Sequence, residues 1–106
     1  MRFLIKDLLS AASTATNQTS EAVDSTFVTQ ASIQVIATGT PNGSVAVQGS
    51  NDGVNFVALT TPSALTISSA GTQLTLPFDV CYANLRVVYT GTGAGSITAT
   101  IKTTGF

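Results

Sequence analysis

Ser44-Val-Ala-Val-Gln-Gly-Ser-Asn-Asp-Gly-Val-Asn-Phe-Val-Ala-Leu59 decides the fold. Val45, Val47 and Gly49 alternate with Ser44, Ala46 and Gln48, the period-two pattern of a strand with one face on a core. Asn51-Asp-Gly53 then offers the residues of a tight turn, with Gly53 at the position that needs positive φ, and Asn55–Thr60 reads as the strand that returns. A strand, a turn and a strand within sixteen residues point to antiparallel β structure.

The same period recurs on both sides of this stretch. Ala31, Ile33, Val35 and Ala37 alternate with Ser32, Gln34 and Thr38; Leu85, Val87 and Tyr89 with Arg86 and Val88; Ile97, Ala99 and Ile101 with Thr98, Thr100 and Lys102. Ile36 and Val88 are apolar on faces that are otherwise polar. Ala64–Ser68 and Gln73–Leu76 are weaker strand patterns, and Pro62 and Pro77 mark strand ends. Thr40-Pro-Asn-Gly43 predicts a hairpin between 31–38 and 44–49, with positive φ at Gly43. Gly91-Thr-Gly-Ala-Gly95 predicts an antiparallel link between the last two strands. Together these patterns predict an all-β fold, a single antiparallel β-sandwich or jelly roll spanning residues 1–106, with Ile33, Val35, Val45, Val47, Leu85, Val87, Ile97 and Ile101 sharing one core.

Residues 1–25 carry less pattern. Phe3-Leu-Ile-Lys-Asp-Leu-Leu-Ser-Ala-Ala reads either as a helix, with Leu4, Leu8 and Ala11 on one face, or as a strand or extended arm followed by a Ser/Thr/Asn loop. The second reading is preferred, because Ser13–Ser20 offers no continuing helical face and a sandwich of this size needs a strand near its start. Lys6 and Asp7 break the apolar run well short of the ~7–15 residues of a signal-peptide core, and no stretch approaches a membrane span. The expectation is a chain made in the cytoplasm without a signal peptide, so the glycosylation triplets at Asn17 and Asn42 carry no meaning.

Composition narrows the function. Charged residues make up 8 % of the chain, with a net charge of −1, against about 25 % charged in ordinary soluble domains; 18 Thr and 11 Ser fill the polar positions instead. Little repulsion keeps copies apart, and there is no basic patch for nucleic acid. With no His and one Cys, neither a nucleophile–base pair nor a zinc site can be assembled, and no cofactor or metal is expected. Cys81 is expected to be a buried, inert thiol. Ser50–Gly53 offers one carboxylate where a calcium loop needs several oxygen ligands, so it reads as a structural turn. Phe56 and Tyr89 are expected in the core, leaving Phe78, Tyr82 and Phe106 as rings available to a ligand.

Gly43-Ser-Val-Ala-Val-Gln-Gly-Ser-Asn-Asp-Gly-Val-Asn-Phe56, then Tyr82-Ala-Asn-Leu-Arg-Val-Val-Tyr-Thr90 and a Thr-rich last strand, resembles small β-sandwich structural proteins of bacteriophages. The resemblance rests on a hairpin of the form V-x-G-S-N-D-G-x-N-[WF] ahead of a strand like Leu85–Tyr89, and Leu8–Thr16 is similar to their first strand and loop. It departs in having Phe56 where many of those proteins carry Trp, and the hairpin also resembles that of discoidin-like sandwiches that bind sugars or cells. The likeness implies a non-enzymatic virion component, an accessory or decorating subunit partnered by its own copies or a major capsid protein. The assembly surface expected from the residues is Phe3, Leu4, Leu8 and Leu9 on the arm, with Ile36 and Val88 on the strand faces. The alternative is a receptor- or carbohydrate-binding module with its site among the loops.

Overall fold

The computed structural model describes residues 2–75 and 77–105. Eleven strands form two antiparallel sheets. One sheet runs in the order β1 (Arg2–Ser13), β11 (Gly95–Gly105), β4 (Val28–Gly39), β8 (Gly71–Leu74), with β9 (Phe78–Asp79) continuing the β8 side of β4. The facing sheet is built on β10 (Asn84–Thr92) and β5 (Asn42–Ser50). Two short strands, β2 (Gln18–Thr19) and β3 (Val23–Asp24), flank β10, and β6 (Val57–Ala58) and β7 (Leu65–Ile67) flank β5. The chain passes from one sheet to the other between β1 and β2, β3 and β4, β4 and β5, β7 and β8, and again before and after β10. That wrapped order is a jelly roll.

Alternation along the strands puts the core where the sequence predicts it. Ile33, Val35, Val45, Val47, Leu85, Val87, Ile97 and Ile101 are all buried between the sheets, joined by Tyr89, Ile67 and Phe78. Each such side chain contributes about 1.5–3 kcal/mol on leaving water. β1 forms a strand and not a helix, paired with β11 from Arg2↔Gly105 to Ser13↔Ser96. Two register shifts interrupt it, between Asp7 and Leu9 and between Leu9 and Ala12, where Ala11 takes a positive φ of 49°. The extra residues flip the alternation, so Leu9 as well as Ala12 comes to the core side.

Both predicted Gly hairpins are corrected. β4 and β5 lie in different sheets, as do β10 and β11, so 39–42 and 92–95 are sheet-to-sheet crossings. They run side by side: Gly39 pairs Gly95 in one sheet and Gly43 pairs Gly91 in the other, while the Thr40 N–H donates to the Ala94 carbonyl at 2.7 Å. Gly43 does not have the predicted positive φ. It sits in β5, and a Cβ there would stand 2.7 Å from the Gly91 Cα. Glycine is required by the neighbouring backbone and not by its own dihedral. The Ser50–Gly53 turn, by contrast, returns β5 to β6 in the same sheet, through Gln48↔Ala58 and Gly49↔Val57, and Gly53 has φ of 76° as predicted.

Candidate assembly surface

A jelly roll of this size has two outer faces and four sheet edges to offer a partner. Residues paired across an antiparallel ladder share a face, so the register maps each face. Outside the β1 sheet lie Ile5 and Asp7, then Thr98, Thr100 and Lys102, then Ser32, Gln34 and Ile36, then Thr72 and Leu74. On it the Thr100 Oγ1 donates to Asp7 at 2.8 Å and the Thr38 and Ser96 hydroxyls lie 2.8 Å apart. Ile5, Ile36 and Leu74 stand out of this neutral surface at 60 %, 40 % and 64 % exposure. Ile36 pairs Thr72 and Leu74 pairs Gln34, so the two apolar side chains are diagonal neighbours.

The predicted assembly residues do not form one patch. Ile36 is on this outer face, whereas Val88, half-buried beside Ala46 and Thr19, is on the outside of the opposite sheet. Packed sheets lie ~10 Å apart, so the two look in opposite directions. Leu4 is exposed on the core side of β1, Leu8 is half-buried against the core, and Leu9 is buried in it. Leu9 is therefore turned away from any partner. The side chain of Phe3 lies outside the described residues. Ile5 and Leu74, exposed on the same outer face as Ile36, were not among the predicted residues, although the run Phe3-Leu-Ile carried the signal for the exposure of the first: consecutive apolar residues in a strand face both sides.

The opposite face is organised by the Ser50–Phe56 turn. Asp52 accepts hydrogen bonds from the N–H groups of Val54 and Asn55 at 2.8 Å, from Asn55 Nδ2 at 2.7 Å and from the Ser50 hydroxyl at 2.9 Å. These donors hold its carboxyl far below the usual aspartate range, the backbone N–H of Asn55 contributing most. The turn delivers Phe56 onto Arg86, whose guanidinium carbon is 3.9 Å from the ring centroid and whose Nε donates to Gln48 Oε1 at 2.8 Å. Phe56 is thus half-buried on a cation and not a core residue as expected. A guanidinium over an aromatic face is attracted by the ring quadrupole, and Phe supplies that surface without a polar edge.

Two further expectations are corrected. Cys81 is exposed, because it lies in the irregular link between β9 and β10 where no alternation carries it inward. Phe78 is buried, since β9 pairs it with Ala31 on the core face of β4. Tyr82 remains exposed, lying against the open side of Gly49, and Phe106 lies outside the described residues. Around Tyr82 one atom of each neighbouring amide is bonded internally: Asn51 Oδ1 accepts from Ala83 N–H, and Asn55 Nδ2 donates to Asp52. Among the described residues no three His, Cys, Asp or Glu side chains converge, and no helix is long and apolar enough to cross a membrane.

No protein-family model matches the sequence, and no curated protein matches it. Solved structures do share the fold. PBSX exported protein XepA superposes with a TM-score of 0.78 at 9 % identity, over 97 % of this chain and 37 % of that one. PirA gives 0.60 at 12 % identity over 96 % and 93 %, and the SPBc2 prophage-derived protein YomS 0.61 at 11 % over 97 % and 95 %. The chain spans little more than a third of XepA but nearly the whole of PirA and YomS, and at these identities what it shares with them is the all-β sandwich fold.

Proposed function

We propose that this chain is a non-enzymatic structural component of a bacteriophage particle, an accessory or decorating subunit that docks on a capsid lattice or on its own copies. The observation that carries the reading is the outer face of the β1 sheet. It is a broad hydroxyl and amide surface from which Ile5, Ile36 and Leu74 protrude. Such a face costs little to desolvate, since few charges must be stripped of water, and its apolar side chains gain on being covered. The fold it shares with a prophage-derived protein, YomS, supports the same reading. A ligand-binding module is less well supported, because Tyr82 is only part-exposed and one atom of each neighbouring amide is already bonded.

The test is copy number in particles. Density-gradient-purified particles from cells producing the phage should contain the chain in many copies. The double substitution Ile36→Lys with Leu74→Lys should lower that number severalfold while leaving the circular dichroism spectrum unchanged. Particles without the chain, or with undiminished double variant, would overturn the proposal.

A further inference from the structure

The four sheet edges are not equivalent. Three are broken into strands of two to four residues: β8 with β9, β2 with β3, and β6 with β7. Short edge strands are a standard defence against pairing with another chain. The fourth edge is β1, 12 residues long. Its second half is bulged and closed onto the core, but from Arg2 to Asp7 its ladder with β11 is uninterrupted. Among the described residues, no hydrogen bond reaches the backbone groups that this segment turns away from β11. Leu4 and Ile5, on opposite faces of this free edge, are 43 % and 60 % exposed.

We infer that β1 pairs with β1 of a second copy, antiparallel about a two-fold axis, so that one sheet runs through both molecules. Symmetry, charge and the length of free segment paired fix the register. A two-fold axis normal to the sheet keeps outer faces together, so some residue must oppose its own copy. Centring on Leu4 sets Lys6 opposite Arg2 of the second copy, centring on Lys6 sets Lys6 opposite Lys6, and centring on Asp7 opposes two carboxylates; each puts like charges directly across, which is destabilising. Centring on Phe3 avoids these too but pairs only residues 2–4 of each free segment, whereas centring on Ile5 avoids them and pairs residues 3–7. Ile5 then meets Ile5, and Lys6 lies across from Leu4, where its aliphatic stem covers a side chain half-exposed in the single copy. With a net charge of −1 per chain, two copies also meet with little repulsion.

This inference deepens the assembly reading by naming a partner, and the two can fail separately. Sedimentation velocity should show a dimer of the isolated chain that increases with concentration. Ile5→Lys, which sets two ammonium groups across the axis, should return it to monomer; Ile36→Lys, on the same face but away from the edge, should not. In a Cys81→Ser background, Ile5→Cys should form a disulfide-linked dimer on mild oxidation, because directly opposed Cβ atoms come within reach of a disulfide, whereas Ile36→Cys should stay reduced. A monomer at high concentration, a dimer indifferent to Ile5→Lys, or cross-linking through position 36 and not 5 would each overturn the pairing. A monomeric chain that still enters particles would overturn the second copy as partner and leave the virion role standing.

Discussion

The link between β5 and β6 and the paired links β4–β5 and β10–β11 are written in the same residues, yet they are built in opposite ways. Ser50–Gly53 is a turn made by side chains: Asp52 and Ser50 collect the local N–H groups, and Gly53 is needed only for its φ, with Asn84 Nδ2 3.5 Å from where its Cβ would be. The crossings at 39–43 and 91–95 are made by backbone against backbone. There a Cβ on Gly39 would stand 2.8 Å from the Gly95 Cα, and one on Gly95 would overlap the Thr38 carbonyl oxygen. Glycine is a conformational choice in the first and a steric necessity in the second.

The sharpest way to break this comparison is Gly95→Ala. Gly95 combines a φ of 144° with the overlap on Thr38, so backbone strain of ~1–3 kcal/mol is joined by a clash that the ladder cannot relieve. A loss of at least ~3 kcal/mol is expected, a large part of the ~5–15 kcal/mol that holds a domain folded. Gly71→Ala is the control, with a similar φ of 148° but nothing within 4 Å of the added Cβ. Equal denaturant midpoints for the two variants would show that contact between the crossings carries no cost.

That contrast also marks what the sequence could disclose. Period-two alternation is set by burial, so the core residues from Ile33 to Ile101 and the inward sets of β4, β5, β10 and β11 were legible. Which strands pair was not, because a glycine-rich link looks alike whether it folds back within a sheet or passes to the facing one. β2 and β3 left no pattern at all. They are short pieces on β10, and Ser20 continues the edge between them by accepting the buried Val87 N–H on its hydroxyl at 2.9 Å. The assembly candidates were half legible for a related reason: β1 contains bulges, and an extra residue reverses inside and outside for everything after it. Leu9 thus turned inward, while Ile5, ahead of the bulges, stands on the outer face because its neighbour Leu4 takes the core side.

A smaller effect is expected where the crossings are tied to the rest of the molecule. The Tyr89 ring is fully buried, and its hydroxyl lies 3.0 Å from the Thr14 carbonyl and 3.2 Å from that of Thr92. Thr14 in turn donates its hydroxyl to the Gly93 carbonyl at 2.9 Å. Tyr89→Phe keeps the ring and removes the donor, leaving the buried Thr14 carbonyl without it, at a cost of ~1–3 kcal/mol. A melting temperature unchanged in Tyr89→Phe would mean that the crossing is held by its own backbone contacts alone.

The smallest effect belongs to the side-chain turn, and pH isolates it. Asp52 is exposed, so its hydrogen bonds compete with water and its charge is screened. The folded protein nevertheless holds its carboxyl well below the ordinary aspartate value of 3.8, through the N–H groups of Asn55 and Val54, the Asn55 amide and the Ser50 hydroxyl. A folded-state pKa below the unfolded one means that the unfolded chain takes up the proton first. The stabilisation is therefore complete above 3.8 and drains away as pH falls below it towards the folded value. Asp24, lowered by the Thr26 hydroxyl and N–H, acts in the same direction. Thermal midpoints should fall between pH 5 and pH 2 in the wild type and fall less steeply in Asp52→Asn, which has no carboxylate to lose. Gly95→Ala, whose defect is steric, should track the wild-type slope from a lower starting point. Identical slopes for the wild type and Asp52→Asn would mean that the turn is held by Gly53 and the strand pairing around it, and that the carboxylate only decorates it.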